Sequence, residues 1–447
     1  MSSRFDLFAH DLPYEDLPEA VLTVLRRSFF DTMGVAAVGS TTPMSAIARK
    51  GALALFGPGT AGAARMLMDG RPASPAGAAM AGAFTIDSID AHDGTTPCKG
   101  HVGSAVFPAM IAMAQAARTP LTGRDFATIL AVAYEVSCRA GLVQHATCAD
   151  YHTSGAWTAV GVAAAGARML GGDAEVIRHA AGIGEYHGPR SQMMRCIDFP
   201  TNVRDGVGWG APSGVTAAYL AIEGFTGAPA LTCEGPGSET FWEDLGQGWR
   251  LVDHTHYKAY PCCRWSHPAV DGAAYLMKAH DLTPEDVAGV EIKTFHYATR
   301  LAGHEPQNQD EFAYAIAFPV AAMIARGQVG VAELAPEALR DPEILRISRA
   351  TILIDDAHMT EISTEKRWAE VTLVLQDGTR LVDKPRTPRG DPDMPLADDE
   401  ITSKYHQLAD PVIGVGRATE IRDLCQGFDS LDARGFAHLL DLCTQAP

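Results

Sequence analysis

Residues 258–271 read Lys-Ala-Tyr-Pro-Cys-Cys-Arg-Trp-Ser-His-Pro-Ala-Val-Asp, a run of cations, aromatics and a histidine broken by proline. A core helix would carry leucine and alanine there. The run also marks a change of texture. Before it, apolar residues recur at helical spacing over 17–39, 76–89, 106–116, 126–143, 156–170 and 214–222, and these segments are rich in alanine and glycine, which lets helices approach closely. After His267 the pattern turns to alternation: 287–296 and 350–354 read as half-buried strands, and 368–382 reads as a hairpin turning at Asp377-Gly378. Helical spacing persists at 268–279 and 315–325, and it returns at 398–409 and 431–442 after a Pro-, Arg- and Asp-rich stretch at 384–395 that reads as a linker. The expected chain is mostly α: a large all-helical domain begun by 1–267, an inserted smaller α+β domain at 268–392, and a C-terminal return to the helical domain at 393–447.

Composition narrows the function. The chain has 447 residues, 47% of them hydrophobic and 20% charged, which suits a globule with a sizeable core. A net charge of −18 argues against nucleic acid and against anionic membrane surfaces, because both demand a basic footprint. An anionic ligand must then be met by a local cluster of cations. The nine cysteines are odd in number and lack CxxC spacing, so reduced, mostly buried thiols of a cytoplasmic protein are expected, and an adjacent Cys262–Cys263 disulfide is disfavoured by geometry. The opening Met1-Ser2-Ser3-Arg4-Phe5-Asp6 has no apolar signal core, and no apolar run reaches the about 18 residues of a membrane span.

A second polar cluster lies at 86–108, where Asp87, Asp90, Asp93, His92, His101 and Lys99 crowd a glycine-punctuated turn between apolar runs. Carboxylate and imidazole placed together orient one another or divide acid and base duties. A solvated, capped loop is the plain alternative. His92, Asp93 and His101 form a possible metal set, although no HExxH or Cys/His knuckle accompanies them. In the later run, Arg264 is suited to clamp a carboxylate and Lys258 adds a compact charge, with Tyr260 and His267 beside them. Domain-hinge packing is the plain alternative there. His152-Thr153-Ser154 opens a helix with capping hydroxyls, and Arg204-Asp205-Gly206 is a further candidate. No Walker loop, GxGxxG or GxSxG is present, so no nucleotide cofactor is indicated.

These segments, in this order, resemble the MmgE/PrpD family, which includes 2-methylcitrate dehydratase, cis-aconitate decarboxylase and iminodisuccinate epimerase. Asp31-Thr32-Met33-Gly34-Val35 is similar to its early DTxGV, His152-Thr153-Ser154 to its HPTS helix start, and Glu223-Gly224-Phe225-Thr226-Gly227 to its GFTG segment. The most specific match is Lys258-x-Tyr260-Pro261-x-Cys263 with His267 and Asp271. The resemblance implies a helical domain with a smaller lid, an active site between them, a homodimer, and no metal or organic cofactor. By position it assigns catalytic roles to Asp90, His101, His152, Lys258 and His267. Asp93, Thr95, Lys99, Arg204, Tyr260 and Arg264 complete the expected site as substrate-binding residues. The chain departs from the family pattern at Gly94, where Asp-Asp-Thr becomes His92-Asp93-Gly94 with a threonine displaced to 95, at Arg204 in place of a lysine, and at Phe318 in place of a tyrosine.

The expected activity is that of a cofactor-independent lyase, a dehydratase or decarboxylase, removing a proton or CO2 next to a carboxylate of a small di- or tricarboxylate. An epimerase or isomerase of an amino- or imino-dicarboxylate is the alternative within enzymes. A non-catalytic carboxylate-binding protein is the alternative outside them.

Overall fold

A computed structural model describes residues 4–447; Met1, Ser2 and Ser3 of the opening segment lie outside the described residues. The chain is mostly α. Helix Gly155–Met169 is central, packed by Gly123–Thr147, Ala174–His187 and Val207–Ile222. Small residues make this possible: a Cβ on Gly161 would come 2.4 Å from the Ala133 carbonyl oxygen, so only glycine lets these two helices touch. Helix Gly123–Thr147 is long and apolar enough to cross a membrane by composition, yet 94% of that window is buried inside the fold, and Glu135 within it carries a fully buried ion pair to Arg139 at 2.7 Å. It is a core helix.

The expected elements form with small shifts at their ends. The 17–39 pattern becomes Glu19–Gly39, 76–89 becomes Pro75–Asp87, and 214–222 extends backwards to Val207–Ile222. Ala174–His187, Pro43–Leu55 and Pro342–Arg349 are helices that the periodicity did not single out. Asp398–Ile413 packs against Glu19–Gly39, where Lys404 reaches Asp31 at 2.8 Å and donates to the Ala91 carbonyl at 2.6 Å. The early Asp31 motif and the C-terminal helix thus meet under the polar loop at 90–101.

The alternating segments form one four-stranded sheet in the order Thr351–Asp355, Val287–Thr294, Ala369–Leu375, Arg380–Val382. The first pair is parallel, with Val290 opposite Thr351, and the others are antiparallel, with Val290 opposite Leu373 and Leu373 opposite Leu381. Helices His267–Ala279, Ala317–Arg326 and Pro342–Arg349 pack on it and bury Val290, Ile292, Val371 and Leu373. Ile352 and Val382 remain exposed, as one-sided packing requires.

The 384–395 stretch corrects its reading as a linker. The Gly390 carbonyl accepts from the Tyr257 amide, and Asp391 is buried against Arg264 and His256. Proline and charge there do not mark a solvated tether; they place a carboxylate beside two buried cationic or imidazole groups.

Candidate active site

The two polar clusters, far apart in sequence, are joined by a short antiparallel ribbon in which Gly94 lies opposite His256 and Thr95 opposite Thr255. Beside it, the buried Lys258 ammonium donates to the Asp90 carbonyl at 2.9 Å and to the Asp90 carboxylate. Asp90 has φ +50°, Lys99 +56° and Arg204 +45°, so three of the five non-glycine residues in the left-handed region, among the described residues, belong to the expected site. Strain of this kind, about 1–3 kcal/mol per residue, survives only where the surroundings enforce it.

His101 is held from three sides. Its amide donates to Ser154 Oγ at 2.9 Å, its Nδ1 lies 2.8 Å from the Asp93 carbonyl, and its Nε2 lies 3.8 Å from Asp205 Oδ2. A carbonyl only accepts, so Nδ1 carries the proton and Nε2 presents a lone pair. Burial, then the charges of Lys258 and His92, hold His101 well below the usual imidazole range, so it is neutral at pH 7. Asp205 accepts from the Ser154 hydroxyl, and burial with the nearby Asp87 charge raises its carboxyl to about 7. His101 and Asp205 thus face one another as a neutral imidazole and a carboxyl that titrates near neutrality.

Together with Thr95, Lys99, His256, Arg264 and Arg367, this pair lines a cavity of about 40 Å³. His256 was not among the sequence candidates. Burial, followed by Arg264 and His101, keeps it neutral, and its Nε2 is buried without a hydrogen-bond partner. A signal existed: His256 and Lys258 are two apart, hence on one face of an extended segment. Arg367, also missed, had only the Lys366-Arg367 doublet to mark it. The departure at Gly94 has a local cause, since a Cβ there would sit 2.6 Å from His256 Nε2 and 2.8 Å from His101 Nδ1. The two imidazoles occupy the space a side chain would need.

The cations are incompletely satisfied. Arg264 Nη2 pairs with Asp391 at 2.8 Å while its Nε is buried without an acceptor. Arg204 is 2% exposed; its Nη2 reaches the Ser88 carbonyl at 2.7 Å and Asp310 at 2.8 Å, leaving Nε and Nη1 buried without partners. Each such orphan donor costs about 1–3 kcal/mol. Lys99 is half-buried over the Tyr151 ring at 5.7 Å, and burial, then the Arg367 charge, lowers its pKa. Thr95 Oγ1 is likewise buried and unpartnered.

Other candidates sit elsewhere. His267 is buried behind Arg264, with Nδ1 3.4 Å from Arg264 Nη1 and Nε2 3.2 Å from the Cys262 carbonyl, so it positions the arginine and does not line the cavity. Tyr260 packs on His267 at 5.1 Å but donates its hydroxyl to Asp271 at 2.8 Å, away from the cavity. His152 precedes the Ser154 turn, and its buried Nδ1 finds no partner among the candidates. The Asp93 carboxylate accepts from the Tyr134 hydroxyl at 2.7 Å and the Gly103 amide at 3.1 Å, and so braces the loop from behind. Phe318 packs on Phe312, and the Tyr314 ring lies 5.8 Å from the Arg204 guanidinium.

The metal grouping changes composition. Asp93 is turned away, and the atoms that converge, within 4.8 Å of one another, come from Asp90, His92 and His101. Burial opposes protonation of His92, but its hydrogen bond to Asp87 at 3.2 Å and the charges of Asp87 and Asp90 prevail and raise its pKa. With the Lys258 ammonium already on Asp90, a dication there would face a cation directly. The donor set suits protons better than a metal.

Sequence comparison accounts for both halves of the chain. The MmgE/PrpD N-terminal domain family matches residues 3–241 and the MmgE/PrpD C-terminal domain family matches residues 260–429. The chain belongs to the MmgE/PrpD family. Among curated relatives it is 22% identical to cis-aconitate decarboxylase of Aspergillus terreus, over 100% of this chain and 97% of that protein. It is also 22% identical to the human cis-aconitate decarboxylase, over 97% of this chain and 92% of that protein, and to the cis-aconitate decarboxylase-like protein oryM of Aspergillus oryzae, over 92% and 91%. This similarity supports an enzyme of the dehydratase and decarboxylase type acting on carboxylates.

Proposed function

We propose that the protein is a cofactor-independent decarboxylase of a small unsaturated tricarboxylate, with cis-aconitate the first compound to test. The observation that carries this is the buried, unpartnered Nε–H of Arg264, on the wall of the same cavity as the neutral His101. A carboxylate is the ligand that satisfies planar guanidinium donors pairwise. In this reading Arg264, with Lys99 and Arg367 on the same wall, holds the carboxylates that stay. The bond to the leaving carboxylate breaks, its electron pair is delocalised toward a retained carboxylate that faces the cations, and CO2 departs. The carbanion then takes a proton supplied by Asp205 through His101 Nε2. Lys258 fixes Asp90 and contributes positive potential. The sheet-bearing region 268–392 serves as a lid carrying Arg367, and the cytoplasmic homodimer expected from the sequence belongs to the same proposal. Proton NMR of the purified protein with cis-aconitate in D2O tests it: loss of substrate with one deuteron in a decarboxylated product is expected. No turnover of cis-aconitate would refute it.

A second reading rests on one specific feature. His101 and His256 both border the same cavity, and two proton-transfer groups about one carbon, one taking a proton while the other returns one, are what epimerisation of a dicarboxylate uses. Deuterium entering recovered imino- or amino-dicarboxylate without loss of CO2 would favour it.

A further inference from the structure

Behind the active site lies a larger cavity, about 650 Å³, on the outer face of helix His267–Ala279 and the 384–394 segment. Its wall carries Lys278, Lys384, Arg386 and Arg389 together with the rings of Tyr275 and Trp368. Arg386 is paired with Asp383 and stacked over Tyr275 at 4.2 Å, and Arg389 is paired with Asp271 and Glu400. Lys278 and Lys384 have no ion-pair partner among the described residues. In a chain of net charge −18, four cations on one concave surface are not a by-product of composition. The volume falls within the range of small-molecule sites, about 300–1,000 Å³. Tyr275 is 51% exposed even with Arg386 over its ring, so aromatic surface remains open beside the charges.

We infer that this cavity binds a small polyanion bearing a planar ring, the chemistry of a nucleotide. The phosphates meet Lys278 and Lys384, and the ring packs against Trp368 and the open part of Tyr275. The site backs onto the catalytic one through two links. Tyr260 lies between them, with its ring on His267 and its hydroxyl on Asp271, which also accepts from Arg389 at 3.3 Å. Arg389 in turn is two residues from Asp391, the partner of Arg264. An anion that draws Arg389 from Asp271 therefore shifts the segment that holds the active-site arginine.

The test uses the full-length protein and needs no knowledge of its substrate. Isothermal titration with ADP in metal-free buffer is expected to give saturable binding, with pyrophosphate weaker and adenosine weaker still. Lys278→Glu with Lys384→Glu should weaken ADP binding by at least about 100-fold, roughly tenfold for each charge-assisted hydrogen bond removed. The milder Lys278→Gln with Lys384→Gln, at exposed positions that leave the fold intact, should weaken it in the same direction. Hydrogen exchange should show protection over 384–394 when ADP is bound. Absence of saturable ADP binding at millimolar concentration, binding that survives both double variants, or protection confined to other segments would overturn the inference. Pyrophosphate binding as tightly as ADP would overturn the part assigned to the rings.

Discussion

Lys258→Met should destabilise the protein in a pH-dependent way. The lysine side chain is fully buried, and its ammonium touches both the carbonyl and the carboxylate of Asp90, whose side chain is 8% exposed. Methionine fills a similar volume, so the cavity term is small, but it leaves a buried carboxylate without its counter-charge. Breaking such a pair costs about 3–5 kcal/mol. A stripped carboxyl has one escape, to take up a proton. From the ordinary carboxylate range that costs about 4 kcal/mol at pH 7 and only about 1.5 kcal/mol at pH 5, at about 1.4 kcal/mol per pH unit. The loss should therefore be about 3–4 kcal/mol at pH 7 and fall to about half or less at pH 5. Asp90→Asn added to Lys258→Met should recover most of it, because a neutral amide no longer needs the cation. Urea unfolding of wild type, single and double variants at the two pH values measures this. A loss under about 1 kcal/mol at pH 7, equal losses at both pH values, or no recovery in the double variant would refute the account of Lys258 as the obligatory counter-ion of Asp90. The double variant should nonetheless stay inactive toward the proposed substrate.

His101→Ala should lower kcat by roughly 100-fold or more, the scale of general acid–base catalysis, with the circular dichroism spectrum unchanged. His267→Ala should instead act mainly on KM, since it supports Arg264 from behind; steady-state kinetics separate the two, and a pure kcat effect would contradict the positioning role. Arg264→Lys should raise KM about tenfold or more because the planar fork is lost, with kcat less affected. Asp205 is raised to about 7, so its protonated form is favoured by folding: that contribution is present at low pH and fades as pH rises through neutrality. Asp205→Asn should thus stabilise the fold more at pH 8 than at pH 5, and should lower turnover at every pH because the proton source is gone, leaving a residual rate without the fall expected above pH 7; thermal melts and a pH–rate profile check both. Activity should also survive exhaustive dialysis against a chelator, and loss of turnover that only a stoichiometric metal restores would reverse the assignment of the Asp90, His92 and His101 group.

The helical core, the sheet segments and the two polar clusters were all legible in the amino-acid sequence. Apolar spacing reports which face of a segment is buried, and that holds whatever the segment packs against. Charges and imidazoles crowded between apolar runs drew attention to Asp90, His101, Lys258, Arg204 and Arg264 against plain alternatives of loop capping and hinge packing, and the family resemblance supplied their expected roles. Where these residues sit relative to one another is decided by the fold. The Gly94–His256 pairing brings an imidazole into the cavity that local sequence left unremarked, and the 384–395 stretch turns inward to place Asp391 on Arg264. The same folding moves His267 behind the arginine and turns Tyr260 outward. Role at this site depends on which atom faces which, over a few ångströms and between segments distant in the chain. Composition and periodicity carry no record of those distances; the packing of ribbon, loop and sheet against one another does.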